Sequence, residues 1–171
     1  MFAELGLVWL ILWAAGIGLV YFCEASHAGT RFFAVGFAVL VVLDQTVKLL
    51  VSSAPDGWSV NGFWGLLRIR PVKNIHNAAA LSFFDVRVPI AAVAAGKAAI
   101  LVLLAGLLLY CKRKYGGGRA FGLCAMFLAA GVVCSLLDTS VWGYSLDYLS
   151  VPTFCVADLK DVFLDLSLIH I

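Results

Sequence analysis

The chain is short of charge and short of metal ligands, and each shortage removes a class of function. Lys and Arg number 12 and Asp and Glu 10, so 13% of the 171 residues are charged, where a soluble domain carries about 25%. The formal net charge of +2 leaves no electrostatic footprint for a nucleic-acid partner. Cys23, Cys111, Cys124, Cys134 and Cys155 are scattered with no C-x-x-C pair, and the histidines are few and far apart. Neither pattern makes a zinc site or a disulfide framework, and most of these cysteines read as small buried hydrophobes. No internal repeat or low-complexity run is present. No Lys or Arg precedes Arg31, and Cys23 follows Phe22 rather than a small residue, so the marks of a removed signal peptide are missing.

Apolar residues take the place of the missing charge. Hydrophobic content is 63% and mean hydropathy +1.02, which places the chain among polytopic helical membrane proteins of one domain. Residues 3–22 are long enough to span, since about 20 residues at ~1.5 Å rise cover ~30 Å of hydrocarbon, and they read as a retained helix. Further apolar segments run over 32–51, 88–110, 120–141 and 158–171. The last has about 14 residues, or ~21 Å, which is short for a span. Residues 52–87 break the pattern with Pro55, Asp56-Gly57, Asn61-Gly62 and Gly65. They read as an extramembrane insert of some β character, with Phe63–Ile69 as a candidate strand. Lys112, Arg113, Lys114 and Arg119 crowd one tight loop, which the positive-inside rule puts in the cytoplasm. The insert and the 142–157 loop then lie outside, with the N-terminus outside and the C-terminus pointing inward.

The few charges inside or beside apolar segments carry the functional reading. A carboxylate at a helix centre costs roughly 2.5–3.5 kcal/mol on insertion scales, so Asp138, Asp147 and Asp158 at the ends of two adjacent segments need a reason. Two stand: solvated loop and cap residues, or a water-activating pair of Asp147 and Asp158 at a membrane surface. Asp44 and Lys48 are four apart and share a helix face. They suit either a neutralised pair near a helix end with Lys48 snorkelling or a brace beside a site. Asn74, His76 and Asn77 suit a hydrated loop end or a substrate-backbone contact. Lys97 lies mid-segment, where a lysine faces protein or water.

These residues fall in an order that resembles lipoprotein signal peptidase, also called signal peptidase II. The family's Asp-Gln-x-x-Lys is present as Asp44-Gln45-Thr46-Val47-Lys48. Its Asn-x-Gly-Ala-Ala-Phe-Ser loop is matched loosely by Asn77–Ser82, with Asn74 as the alternative counterpart of the asparagine. Its Gly-Gly-x-x-Gly-Asn-x-x-Asp-Arg and Gly-x-Val-Val-Asp-Phe correspond to Ala130–Thr139 and Gly143–Tyr148. Its Phe-Asn-x-Ala-Asp corresponds to Phe154–Asp158. The resemblance covers roughly residues 32–171. It implies an all-α polytopic membrane protein with a four-helix core and a small extracytoplasmic β-cradle, to which residues 1–31 add an N-terminal helix and loop.

The implied activity is aspartic endopeptidase removal of signal peptides from diacylated prolipoproteins, with Asp147 and Asp158 catalytic. Asp44, Lys48, Asn74, Asn77, Lys97, Ser135, Asp138, Thr139 and Cys155 would support the site or bind substrate. No metal or organic cofactor is implied. The partners would be a prolipoprotein signal helix with its diacylglyceryl cysteine, and membrane lipid. The protein would be a monomer in the bacterial cytoplasmic membrane, with its site on the extracytoplasmic side. Ser135, Thr139 and Cys155 stand where the family has Asn, Arg and Asn. With Thr139 in place of Arg, Asp138 lacks its neighbouring cation, and Lys97 is expected to supply it. The departures keep two other functions open: a weakened relative that binds lipidated helices without cutting them, and a small ion-coupled transporter using Lys97, Asp44 and Asp138.

Overall fold

A chain this apolar must satisfy its backbone polar groups within itself wherever lipid surrounds it, and helices do so locally. The computed structural model describes residues 29–62, 65, 67–76, 87–116, 118–151 and 155–169. The segment 3–22 and Asn77 lie outside that set. Helices α1 (Thr30–Ser52), α2 (Ile90–Tyr115) and α3 (Arg119–Leu137) lead to a π-helical turn over Asp138–Trp142, and α4 (Leu159–Ile169) follows last. Arg31–Ser52, Ile90–Tyr115 and Arg119–Trp142 are long and apolar enough to cross a membrane. The last helix starts at Leu159, directly after Asp158, and its 11 residues rise only ~16 Å.

Small residues set how closely these helices approach. A Cβ at Gly122 of α3 would meet the Phe33 ring of α1 at 2.7 Å, and one at Gly131 would meet Leu164 at 2.8 Å and the Lys160 carbonyl at 3.0 Å. Around those contacts Leu123, Met126, Phe127 and Ala130 of α3 pack with Phe163 and Leu166 of α4, flanked by Phe33, Phe37 and Leu40 of α1. Helix α2 has no buried residue and rests chiefly on α3 and the π-turn. Its last turn carries Lys112, Arg113 and Lys114, charges that suit a helix C-terminus.

At the opposite end of α2 and α3 lies a four-stranded antiparallel sheet in the order β1-β2-β3-β4, built from Val60–Gly62, Leu67–Asn74, Ser145–Val151 and Cys155–Ala157. Strand content in the insert agrees with its turn-rich sequence. The 142–157 stretch, expected as a plain loop, is instead a hairpin that completes the sheet, because Leu146, Tyr148 and Leu149 have the top of α1 (Val47 and Val51) to pack against. Between the pairs Ile69↔Leu149 and Val72↔Asp147 one extra residue bulges from β2. Pro71 lies there and lacks the N–H a regular ladder needs. Past the bulge, Asn74 pairs with Ser145 and stands diagonal to Asp147. Gly143, at φ +74°, takes the left-handed turn that ends the π-turn and launches β3.

Candidate active site

Helix α1 supplies the floor of the site. Asp44 and Lys48, one turn apart, pair at 2.9 Å with both side chains fully buried. Lys48 does not snorkel. Its Nζ also donates to Asp138 Oδ1 and Oδ2 at 2.8 and 2.7 Å, and stands 2.7 Å from Asp158 Oδ2. Gln45 ties the same turn to the π-turn: its Nε2 donates to Asp44 at 3.0 Å and to Asp138 at 3.4 Å, and its Oε1 accepts the Trp142 indole N–H at 3.1 Å.

Strand β3 and the start of α4 supply the other carboxylates. Asp158 is the N-cap of α4. Its Oδ1 accepts the Asp161 N–H at 3.3 Å while Asp161 Oδ2 accepts the Asp158 N–H at 3.2 Å, a reciprocal capping box with Asp in the Glu position. The cap uses one oxygen of Asp158 and aims the other into the cluster. Asp147 receives the Ser145 hydroxyl at 2.7 Å on Oδ1 and the Asn74 amide at 3.3 Å on Oδ2. Asn74 is itself held by the His76 N–H, 3.1 Å from its Oδ1. Asp147, Asp158 and Asp161 each place one carboxylate oxygen within 4.8 Å of the others.

That spacing suits a cation, and the chain provides one. Lys160 donates to Asp158 Oδ2 in a short contact and to Ser145 Oγ at 2.8 Å, and lies 3.4 Å from Asp138 Oδ2 and 3.6 Å from Asp147 Oδ1. Two ammoniums thus face the four carboxylates of Asp44, Asp138, Asp147 and Asp158. Removing one partner from so buried a set costs about 3–5 kcal/mol, because the charges left behind are buried and only partly balanced.

Lys97 does not pair with Asp138. Its ammonium donates to Thr139 Oγ1 at 2.7 Å and the Ser135 carbonyl at 3.0 Å, while Lys48 and Lys160 neutralise Asp138. Lys97 enters the π-turn from the α2 side, where the hydroxyl and carbonyl are the acceptors it meets. Ser135 therefore contributes its backbone, and the Thr139 hydroxyl donates a hydrogen bond to that carbonyl at 3.1 Å. Cys155 lies exposed on β4 with no hydrogen bond to Asp147 or Asp158. Its sulfur is partly shielded even so, and that shielding, then the carboxylates of Asp161 and Asp165, push the thiol upward, which disfavours a thiolate nucleophile. Sequence reasoning missed Lys160, Ser145 and Trp142. The D-x-x-D spacing of Asp158 and Asp161 was the available signal for the cap.

The comparisons with known proteins bear on this arrangement. The profile of signal peptidase II, described as "Signal peptidase (SPase) II", matches residues 36–171. The chain belongs to the signal peptidase II family. The family's reaction is signal-peptide cleavage on lipoproteins, and it marks the chain as a hydrolase of the multi-pass, inner-membrane kind. Two solved structures, each described as a bacterial membrane enzyme, share its fold. One has a TM-score of 0.67 at 18% identity, covering 82% of this chain and 90% of the other. The second has a TM-score of 0.68 at 19% identity, covering 82% and 85%. No curated protein sequence matches. All four stretches that carry the resemblance to signal peptidase II fall inside the matched residues.

Proposed function

We propose that the chain is an intramembrane aspartic endopeptidase that cuts the signal helix from a diacylated prolipoprotein, with Asp147 and Asp158 as its dyad. The observation that carries this is the approach of two nearly water-free carboxylates from different elements, β3 and the cap of α4, with oxygens within 4.8 Å. A pair of this kind works with one carboxylate as base and the other carboxyl as acid. In this reading one carboxylate takes a proton from water as its oxygen attacks the scissile carbonyl carbon. The other carboxyl gives its proton to the developing oxyanion. Collapse of the tetrahedral intermediate then breaks the C–N bond and returns a proton to the leaving amine. Asn74 and Ser145 orient Asp147, the capping box orients Asp158, and Lys48 with Asp44 and Asp138 braces the floor.

Helices α1 to α4 form the four-helix core of this reading, and the sheet is the extracytoplasmic cradle over the dyad. The basic last turn of α2, at the far end, faces the cytoplasm. A substrate that is itself a lipid-embedded helix then reaches the site sideways from the bilayer, with its acylated cysteine at the headgroup level.

The test is a gel-shift cleavage assay on a diacylated prolipoprotein. Wild type should release the signal peptide, and Asp147→Asn and Asp158→Asn should each lose about 10²–10⁴-fold in rate, the usual worth of a positioned acid or base. Equal rates in all three proteins would exclude the dyad. Tight binding of the lipidated peptide with no cleavage by wild type would favour a binding module.

A further inference from the structure

A water shared by Asp147 and Asp158 has to sit within hydrogen-bond reach of both carboxylates. Lys160 Nζ already occupies that region, in short contact with Asp158 Oδ2 and 3.6 Å from Asp147 Oδ1. The side chain is 7% exposed, so the ammonium is held inside the cluster and is no surface charge passing by. Its donors are directed at groups of the chain itself, Asp158, Ser145 and Asp138.

We propose that Lys160 is a positioning residue that closes the dyad at rest, and that substrate entry moves its ammonium from Asp158 toward Asp138. The inference rests on the dyad reading above. The second berth already exists. Asp138 Oδ2 is 3.4 Å from Nζ, and Ser145 Oγ, at 2.8 Å, is within reach from both positions. The swing therefore exchanges one carboxylate for another without leaving the ammonium unpaired, and it frees the region between Asp147 and Asp158 for water and a peptide carbonyl. Lys160 is the second residue of α4, beside the cap, and its carbonyl packs on Gly131. The backbone is thus fixed while the four-carbon stem supplies the motion. The charged groups that act on this ammonium are Lys48 from α1, Lys97 from α2, Asp138 from the π-turn, Asp147 from β3, and Asp158 and Asp161 at the start of α4. Lys160 is the charge among them that bridges the two dyad carboxylates.

The experiment uses the full chain in detergent micelles and two assays. In the first, 1,2-epoxy-3-(4-nitrophenoxy)propane esterifies accessible carboxylates, and peptide mass mapping reads the rate at Asp147 and Asp158. Lys160→Gln should label about tenfold faster than wild type, as expected when a site open about a tenth of the time becomes open throughout. Lys160→Arg keeps the cation and should label no faster than wild type. It also decides the matter if the Gln variant fails to fold, because faster labelling of the Arg variant would overturn the proposal. In the second, cleavage of a diacylated prolipoprotein is followed against substrate concentration. Because no ammonium then has to be displaced, Lys160→Gln should show a KM lower by up to about tenfold. A brace with no gating role would lower thermal stability and leave the labelling rate and KM of the folded protein unchanged. Labelling and KM identical to wild type in Lys160→Gln would therefore overturn the proposal. Failure of the dyad reading shows elsewhere, as undiminished cleavage by Asp147→Asn.

Discussion

The spanning segments Ile90–Tyr115 and Arg119–Trp142 have the same mean hydropathy, 2.3, yet 39% of the apolar stretch of the second is buried and none of the first. Both carry small residues that would permit close packing. A Cβ at Gly131 of α3 would strike Leu164 and the Lys160 carbonyl, whereas one at Gly96 of α2 would meet nothing within 4 Å. Hydropathy therefore identifies what can cross a membrane and says little about what lies at the centre. Buried charge separates the two helices. The π-turn that ends α3 holds Asp138, fully buried and bound to Lys48, with Lys160 at 3.4 Å. Helix α2 offers Lys97, which finds only a hydroxyl and a carbonyl.

The comparison breaks most sharply at Lys48. Replacing it by Met leaves Asp44, Asp138 and Asp158 without the ammonium they share. The expected loss is about 3–5 kcal/mol of stability, read as a lower midpoint of thermal unfolding in detergent, together with loss of cleavage. An unchanged midpoint would mean that lipid or water, and not the chain, balances those carboxylates.

Packing gives the next effect. Gly131→Val should cost about 1–3 kcal/mol, the usual penalty for overfilling a tight contact, and should slow cleavage because the carbonyl it displaces belongs to Lys160. Gly96→Val should stay within about 0.5 kcal/mol, as exposed substitutions do. If both glycines tolerate Val equally in thermal unfolding, then α3 and α4 are not locked at Gly131.

These contrasts mark which parts of the molecule were legible in the sequence. The three spanning segments were, because runs of apolar residues have few other uses. So was the convergence of Asp44 with Lys48, a local i,i+4 relation, and the concern over Asp138, Asp147 and Asp158, since each carries a cost that only a partner offsets. Hairpin β3–β4 was not legible as strands, because Leu146, Tyr148 and Leu149 are apolar without the alternation of a half-exposed strand, and five of the seven residues of β3 are buried. Lys160 was read as a charge of the short last segment and not placed in the site, because residues two apart on a regular helix diverge. Here Asp158 is the cap and not yet helical, so the two side chains meet. The partner of Lys97 was misjudged because depth along a helix says nothing of rotation about its axis.

Lys97 supplies the smallest effect. Substitution by Met removes bonds of 2.7 and 3.0 Å to neutral acceptors, each to a charged donor and worth about 1.5–3 kcal/mol net. It also removes a half-buried ammonium from a spanning helix, whose placement costs roughly 2.5–3.5 kcal/mol at a helix centre. The second offsets most of the first, so Lys97→Met should lose about 1–2 kcal/mol relative to wild type and keep most of its cleavage. The same substitution at Lys48 has no such offset, because its acceptors are carboxylates that remain. A Lys97→Met variant as damaged as Lys48→Met would show that α2 belongs to the charge cluster after all.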